Sequence, residues 1–543
     1  MVENEAKKEK SNSPGRAVAQ PRSEFVRRPQ GFDARRIHAY ETLVNDPDRL
    51  QLFCYTDRLS YRPGDEVIVH ASTNTQNFSL EIRRDDGTSK PLATIQKISA
   101  PFTAVPDDFA AQGCNWPVAA RLTVPLDAPS GFYLMIARGT DAKGNIQEQE
   151  HGFTVLAASP GEKAPILFVL ATSTWAAYND WGGSCHYLAH NEPRGLPIAP
   201  ILSIHRPWAR GFMSLSPGAP MKGNAWSLEP GAAPRYPQEE FAALNGYTRY
   251  YANAGWANYE RHFALWAERE GYRFDFATQT DLHNDPDILT PYRCVVIVGH
   301  DEYWSWEMRE AIDRYVEAGG RVARFGGNFA WQIRIEGGGT RQVCYKSLAR
   351  DLDPVVGTEN QRRATVEWED SLVNWSGAAT FGLSAAWGGV YANYGVHAPR
   401  GSGGFTIYRP DHWAFQGGNF YYGDVLGASA RIFGYEVDGL DNIVKDGLPV
   451  PTFSDGAPAN LQILAMAPAS DDDVDGMAIL RYGNNSPENL ERAARGTGMI
   501  VHFTRGAGEV FNTGVTDWVA GLAARELGTE IVTRNVLDRF IRG

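Results

Sequence analysis

Residues 294–332 read CVVIVGHDEYWSWEMREAIDRYVEAGGRVARFGGNFAWQ, and this stretch restricts the fold more than any other. Cys294 to Val298 are apolar without alternation, the pattern of a parallel strand covered on both faces. Gly299 ends that strand, so His300, Asp301 and Glu302 arrive together at its carboxyl end. Ser305 is placed as an N-cap with Glu307 in the first turn, and Met308, Ile312, Tyr315 and Val316 form an apolar stripe at helical spacing. Gly319 and Gly320 stop the helix. Arg321 to Phe325 begins the next strand, which ends in Gly326, Gly327 and Asn328. In an open α/β sheet ligands bind beyond the carboxyl ends of the strands, so two adjacent exits predict a site there. That locates a site without naming its chemistry.

The flanking sequence fills in an α/β order. Ile166 to Leu170 reads as the first strand, Tyr259, Phe263 and Trp266 mark a helical face, and Arg273 to Ala277 is a strand followed by a loop at TDLHNDPDIL. Met499 to Phe503, Glu509 to Asn512 and Ala478 to Tyr482 are strand-like, and Trp518 to Leu527 and Ile531 to Phe540 are helical. Residues 336–476, rich in Gly, Trp, Tyr and Asp, read as a β-rich insertion folded over the sheet. The whole of 164–543 is therefore predicted to be a doubly wound α/β domain. Residues 45–158 differ, with short alternating runs broken by Pro63-Gly64-Asp65, Asp85-Asp86-Gly87, Pro129-Ser130-Gly131 and Lys143-Gly144-Asn145. That spacing predicts an antiparallel, immunoglobulin-like β-sandwich. Residues 1–30 are polar and charged and read as a disordered tail.

Bulk properties narrow the class. A net charge of −12 excludes a nucleic-acid partner, which needs a basic face. The N-terminus carries charges where a signal peptide has its apolar core, and no apolar run approaches membrane-spanning length. The five cysteines, Cys54, Cys114, Cys185, Cys294 and Cys344, are odd in number and widely spaced, which fits reduced thiols in a cytoplasm.

Three groups of residues carry candidate chemistry. Tyr178-Asn179-Asp180-Trp181-Gly182-Gly183, with Tyr187 nine residues after Tyr178, follows the first strand; a pocket wall competes here with a surface turn. His300 and Glu302 sit at the central strand exit, where a helix-dipole role for the acid is the ordinary alternative. Glu436 lies in Gly434-Tyr435-Glu436-Val437-Asp438, where apolar neighbours would raise its pKa toward general-base work, although a solvated turn accounts for it nearly as well. His186 and His190 are four apart, as two ligands on one helical face would be, but no further metal motif accompanies them. GGNFAW has Asn328 and Phe329 where amidotransferase-like folds hold a nucleophilic cysteine, which disfavours that activity.

TSTWAAYNDWGG, LSIHRP, EREGYRFDF with TDLHNDPDIL, VVIVGHDEYWS, GGNFAW, GYEVD and GEVFNTGVTDWVAGL follow one another in an order that resembles the large subunit of N,N-dimethylformamidase and its homologues. The similarity covers roughly 165 to 543. It implies a class I glutamine amidotransferase-like fold without the cysteine, and a mononuclear non-haem iron (Fe) bound by two tyrosines and one glutamate that hydrolyses a formamide C–N bond. Glu302 matches the glutamate ligand, His300 a histidine beside it, and Asn328 and Glu436 polar active-site positions, with Glu436 as the general base. Tyr178 matches one tyrosine ligand and Tyr187 is taken for the second. Homologues often show RPY where this chain has Arg206-Pro207-Trp208, and a tryptophan at a ligand position would leave the metal site altered.

The expectation is an iron-dependent hydrolase of a small amide, with a small partner subunit or a homo-oligomer, no nucleic acid and no membrane. A non-catalytic ligand- or carbohydrate-binding protein, or a hydrolase of another substrate on the same fold, are the competing readings. The stretch from Met213 to Phe241 looks like an insertion that would reshape the pocket.

Overall fold

The computed structural model describes residues 19–21, 38–44, 46, 49–88, 91–141, 143–190, 192–221, 237–390, 392–393, 396–397, 403–469, 478, 484–494 and 496–542. Nearly all of the N-terminal tail, most of the insertion after Met213 and, apart from Ala478, the strand expected at Ala478 to Tyr482 lie outside the described residues.

The alternation seen after residue 50 builds two sheets. Leu52–Thr56, Glu66–Thr73 and Val118–Thr123 form a three-stranded antiparallel sheet. Ser60–Tyr61, Ile146–Val155, Gly131–Thr140, Phe78–Arg84 and Ala93–Ile98 form a five-stranded one, antiparallel except for its first pair. Val67, Val69, Phe78, Leu80 and Ile82, spaced two apart, face Tyr133, Met135 and Phe153 in a shared apolar core.

The second body is a nine-stranded sheet. Its strands are β1 (Ile166–Leu170), β2 (Phe274–Thr278), β3 (Cys294–His300), β4 (Arg321–Gly327), β5 (Phe405–Ile407), β6 (Val425–Leu426), β7 (Gln462–Pro468), β8 (Thr497–Arg505) and β9 (Gly508–Asn512), in the order β2-β1-β3-β4-β9-β8-β7-β5-β6. The first five are parallel to one another and the rest antiparallel. Its helices include α1 (Thr172–Tyr178), α2 (Glu260–Arg269), α3 (Gln279–Asn284), α4 (Trp306–Glu317), α5 (Trp518–Ala523) and α6 (Leu527–Arg542). Even-numbered β1 residues Ile166, Phe168 and Leu170, with Val296 and Phe325, pack on Phe263 and Trp266 of α2, Trp518 of α5 and Val536 of α6. Odd-numbered Leu167 and Val169, with Val295, Ile297 and Val322, pack on Met308, Ile312 and Val316 of α4. Apolar side chains on both faces of one strand need a cover on each side, which is why these strands carry unbroken hydrophobic runs.

Three local expectations change. The loop at residues 280–289 is α3 and a 3₁₀ turn, because Thr278 accepts from the Asp281 N–H while Asp281 bonds back, a reciprocal cap that starts a helix. His186 and His190 share no helical face; they belong to the hairpin Ser184–Cys185 and Leu188–Ala189. The insertion does more than cover the sheet, since β5, β6 and β7 extend it by antiparallel pairing.

Candidate active site

The site forms where β3, β4 and α1 end. Gly299 has φ 78°, and a side chain there would meet Tyr259 Cβ at 2.5 Å, so only glycine turns the chain here. The turn brings Glu302 under α1, whose Thr174 Oγ1 accepts from the Glu302 N–H at 3.0 Å. Tyr178, the last residue of α1, donates to Glu302 Oε2 at 2.9 Å, and Tyr187 donates to Oε1 at 2.8 Å and Oε2 at 2.9 Å. The two phenol rings lie 4.4 Å apart. Tyr178, Glu302 and neighbouring Tyr303 are buried, whereas Tyr187, Asn328 and Glu436 are partly open to solvent. The opening is therefore on their side.

His300 ties this group to Glu436. Its Nε2 lies 2.9 Å from Glu436 Oε2 and 3.2 Å from Glu302 Oε2, and its Nδ1 lies 2.5 Å from the Asn253 carbonyl. Nδ1 needs a proton to meet a carbonyl and Nε2 needs one to meet a carboxylate, so the ring is an imidazolium. Burial alone would lower its pKa, but the two carboxylates outweigh that and raise it to about 10. The same charge, with Lys346 and the Tyr187 hydroxyl, holds Glu302 below its ordinary value in spite of burial. Burial and the Glu302 charge in turn push both Tyr178 and Tyr187 well above 10, so their phenols are neutral here. Asn328 Nδ2 donates to Glu436 Oε2 at 2.8 Å.

The loops that carry these residues are pinned by one buried cation. Arg324 Nε bonds Asp301 Oδ2 at 3.0 Å and its Nη1 bonds Asp438 Oδ2 at 2.7 Å, with all three side chains fully buried. Asp438 Oδ1 accepts from the Asn328 N–H at 2.8 Å, which holds Asn328 at φ 65°. Asp301, Asn328 and Glu436 thus cannot move independently.

The structure brings together Tyr178, Tyr187, His300, Glu302, Asn328 and Glu436. It sets His186 and His190 apart from them: His186 Nδ1 meets the Ala199 carbonyl at 2.7 Å, and His190 stacks on Tyr40 at 5.0 Å. Trp208 is not in the cluster either. Its ring packs on Trp175, His151 and Phe212, at 6.2, 6.4 and 6.4 Å, so it replaces no oxygen donor beside Glu302. Sequence reasoning missed Tyr303, which donates to Tyr187 Oη at 2.7 Å, and Lys346, which donates to Tyr303 Oη at 3.0 Å. Tyr303 stood in GHDEYW and Asp438 in GYEVD; Lys346 carried no signal. Among the described residues no three His, Cys, Asp or Glu side chains form a metal cluster, and the oxygen trio found here is two phenols and a carboxylate. No helix among them is long and apolar enough to cross a membrane.

Residues 79–531 match a family described as N,N-dimethylformamidase beta subunit-like, C-terminal. Relatives include the N,N-dimethylformamidase beta subunit of Alcaligenes sp, 22% identical over 458 residues that cover 79% of this chain and 55% of that one. The beta subunit from Paracoccus aminophilus is 23% identical over 488 residues, with the same coverages of 79% and 55%. The chain spans about half the length of these curated relatives. Among solved structures, an Escherichia coli alpha-2-macroglobulin activated by porcine elastase overlaps at 18% identity and TM-score 0.15, over 21% of this chain and 9% of that one, too little to carry an argument.

Proposed function

Matched along residues 79–531, the chain belongs to the N,N-dimethylformamidase beta subunit-like family, and from that premise we propose that it hydrolyses the C–N bond of a small amide at the Glu302 cluster. The observation that carries this reading is the convergence of two phenols on one buried carboxylate. Phenolate and carboxylate are hard oxygen donors suited to ferric iron. The three oxygens already sit within hydrogen-bond reach of one another, held by two phenolic protons that a cation would displace, so the donor set fits the metal. Tyr178, Tyr187 and Glu302 are the residues that would hold it. Iron bound there supplies a Lewis acid that polarises the amide carbonyl and acidifies water.

The remaining work falls to side chains on the open side. Glu436, with a side chain one-fifth exposed, is oriented by His300 and Asn328. It accepts a proton from the attacking water as the water oxygen bonds to the carbonyl carbon, and passes that proton to the nitrogen as the C–N bond breaks. The products are a carboxylic acid and an amine. His300 keeps Glu436 in position for both transfers.

In this reading the parallel part of the sheet is a glutamine amidotransferase-like fold in which Asn328 and Phe329 stand at the nucleophile position. Both relatives are named as a subunit, which supports a small partner subunit or self-association. The five cysteines are free thiols, which supports a cytoplasmic setting. The test is Glu302→Ala: the purified variant is expected to lose iron, the visible tyrosinate-to-iron band and amide hydrolysis together. Retention of both metal and activity would refute the assignment.

A further inference from the structure

Lys346, at the start of a 3₁₀ turn, has φ 54°, in the left-handed region. Its Nζ lies 3.6 Å from the centre of the Tyr187 ring, 4.6 Å from Trp331 and 5.6 Å from Tyr303. These rings hold the ammonium by its charge. Among the described residues it spends one hydrogen bond, on Tyr303 Oη. An ammonium has three donors, so two remain.

Lys346 forms no ion pair with a carboxylate of the described residues. Glu302 is near enough to feel its charge, yet already receives Tyr178, Tyr187 and His300. Lys346 and Trp331 are partly exposed, as are Tyr187 and Glu436, so the ammonium stands on the side from which a substrate arrives. A fixed cation with unspent donors, flanked by aromatic faces, is a receptor for an anionic oxygen.

We propose that Lys346 recognises a carboxylate on the substrate, so that the preferred amide is an anionic one of the N-acyl amino acid class rather than an uncharged dialkyl amide. The inference rests on the hydrolase reading and narrows it. A site built to pair a charged group discriminates strongly against an analogue lacking it, because the ammonium is then left without a partner.

A matched pair of formamides tests this, N-formylglycine and N-methylformamide, with the wild-type chain, Lys346→Met and Lys346→Arg. The wild type is expected to favour N-formylglycine at least tenfold in kcat/KM, chiefly through KM; Lys346→Met brings the ratio close to one and Lys346→Arg restores part of it. An absent wild-type preference, or a Lys346→Met variant slowed equally on both substrates, overturns the proposal and leaves Lys346 as a support for Tyr187. If the wild type turns over neither amide, the hydrolase reading alone fails, and calorimetry with N-formylglycine decides. Binding weakened tenfold or more by Lys346→Met upholds carboxylate recognition, and binding that is absent or unchanged refutes it.

Discussion

The sandwich and the carboxyl end of the parallel sheet are both made of strands, yet they bury opposite kinds of group. Between the sandwich sheets lie Val67, Leu80, Ile82, Met135 and Phe153, and ion pairs such as Arg138 with Glu81 and Glu148 sit at its surface. At the carboxyl end, His300, Asp301, Glu302, Arg324 and Asp438 are all nearly or fully buried. Exposed pairs cost little to make and contribute little, whereas buried ones must offset desolvation with several contacts each. A chain that gathers five such groups at one strand exit is positioning something there. In the sandwich the strands are the product; in the sheet they are a mount.

The largest effect that should break this comparison comes from Arg324. Arg324→Met leaves Asp301 and Asp438 buried without their cation and should cost roughly 3–5 kcal/mol. Arg138→Ala, on a sandwich side chain 41% exposed, should cost about 1 kcal/mol or less. Urea denaturation of the two variants compares them directly, and costs within about 1 kcal/mol of each other would remove the contrast.

Next comes a separation of burial for folding from burial for chemistry. Glu436→Gln keeps the shape and the Asn328 contact but removes the proton acceptor, so kcat should fall roughly 10²–10⁴-fold while iron content stays near wild type. A variant that loses iron as well would make Glu436 part of the metal site. A pH series then sharpens the contrast through two buried histidines of opposite sign. His300 has a folded pKa of about 10 against 6.5 unfolded, so its contribution to stability is full below pH 6.5 and is lost as pH rises toward 10. His151, in the sandwich, is lowered by burial to about 3, so its contribution is full above pH 6.5 and is lost as pH falls toward 3. Denaturation midpoints of the metal-free protein should show His300→Gln flattening the alkaline limb and His151→Gln the acid limb. The reverse pattern would put the charges in the wrong region.

What was legible in the sequence follows from the range over which each signal acts. The run from Cys294 to Val298, the Ser305 cap and the Met308, Ile312, Val316 stripe are local patterns, and the structure has a strand, a cap and a buried helix face at those positions. The pairing of β4 with β9, across 180 intervening residues, has no local signature. In the site, His300 and Glu302 could be read from a strand exit, because that exit is set by neighbours in the chain. Lys346 could not, since its relevance depends on rings from residues 187, 303 and 331 meeting around it. The spacing of His186 and His190 was uninformative for the same reason: four apart implies one face only inside a helix, and these residues belong to a hairpin.

Trp208 marks the border between the two regions and should give the smallest effect at the site. Its place in Arg206-Pro207-Trp208 raised the prospect of a lost ligand, but its ring lies among Trp175, Phe212 and the sandwich residue His151, and its carbonyl accepts from Gln149 of the sandwich at 3.1 Å. Its indole N–H is buried without a hydrogen-bond partner among the described residues, so replacing the ring forfeits packing and none of their polar contacts. Trp208→Phe should therefore lower stability by up to about 2 kcal/mol while iron content and amide turnover stay within about twofold of wild type. Iron lost with the fold intact would mean that the sandwich border, and not only the strand exits, sets the position of the donors. The division between a packing region and a mounting region would then have to be redrawn to include Trp208 with Tyr178 and Glu302.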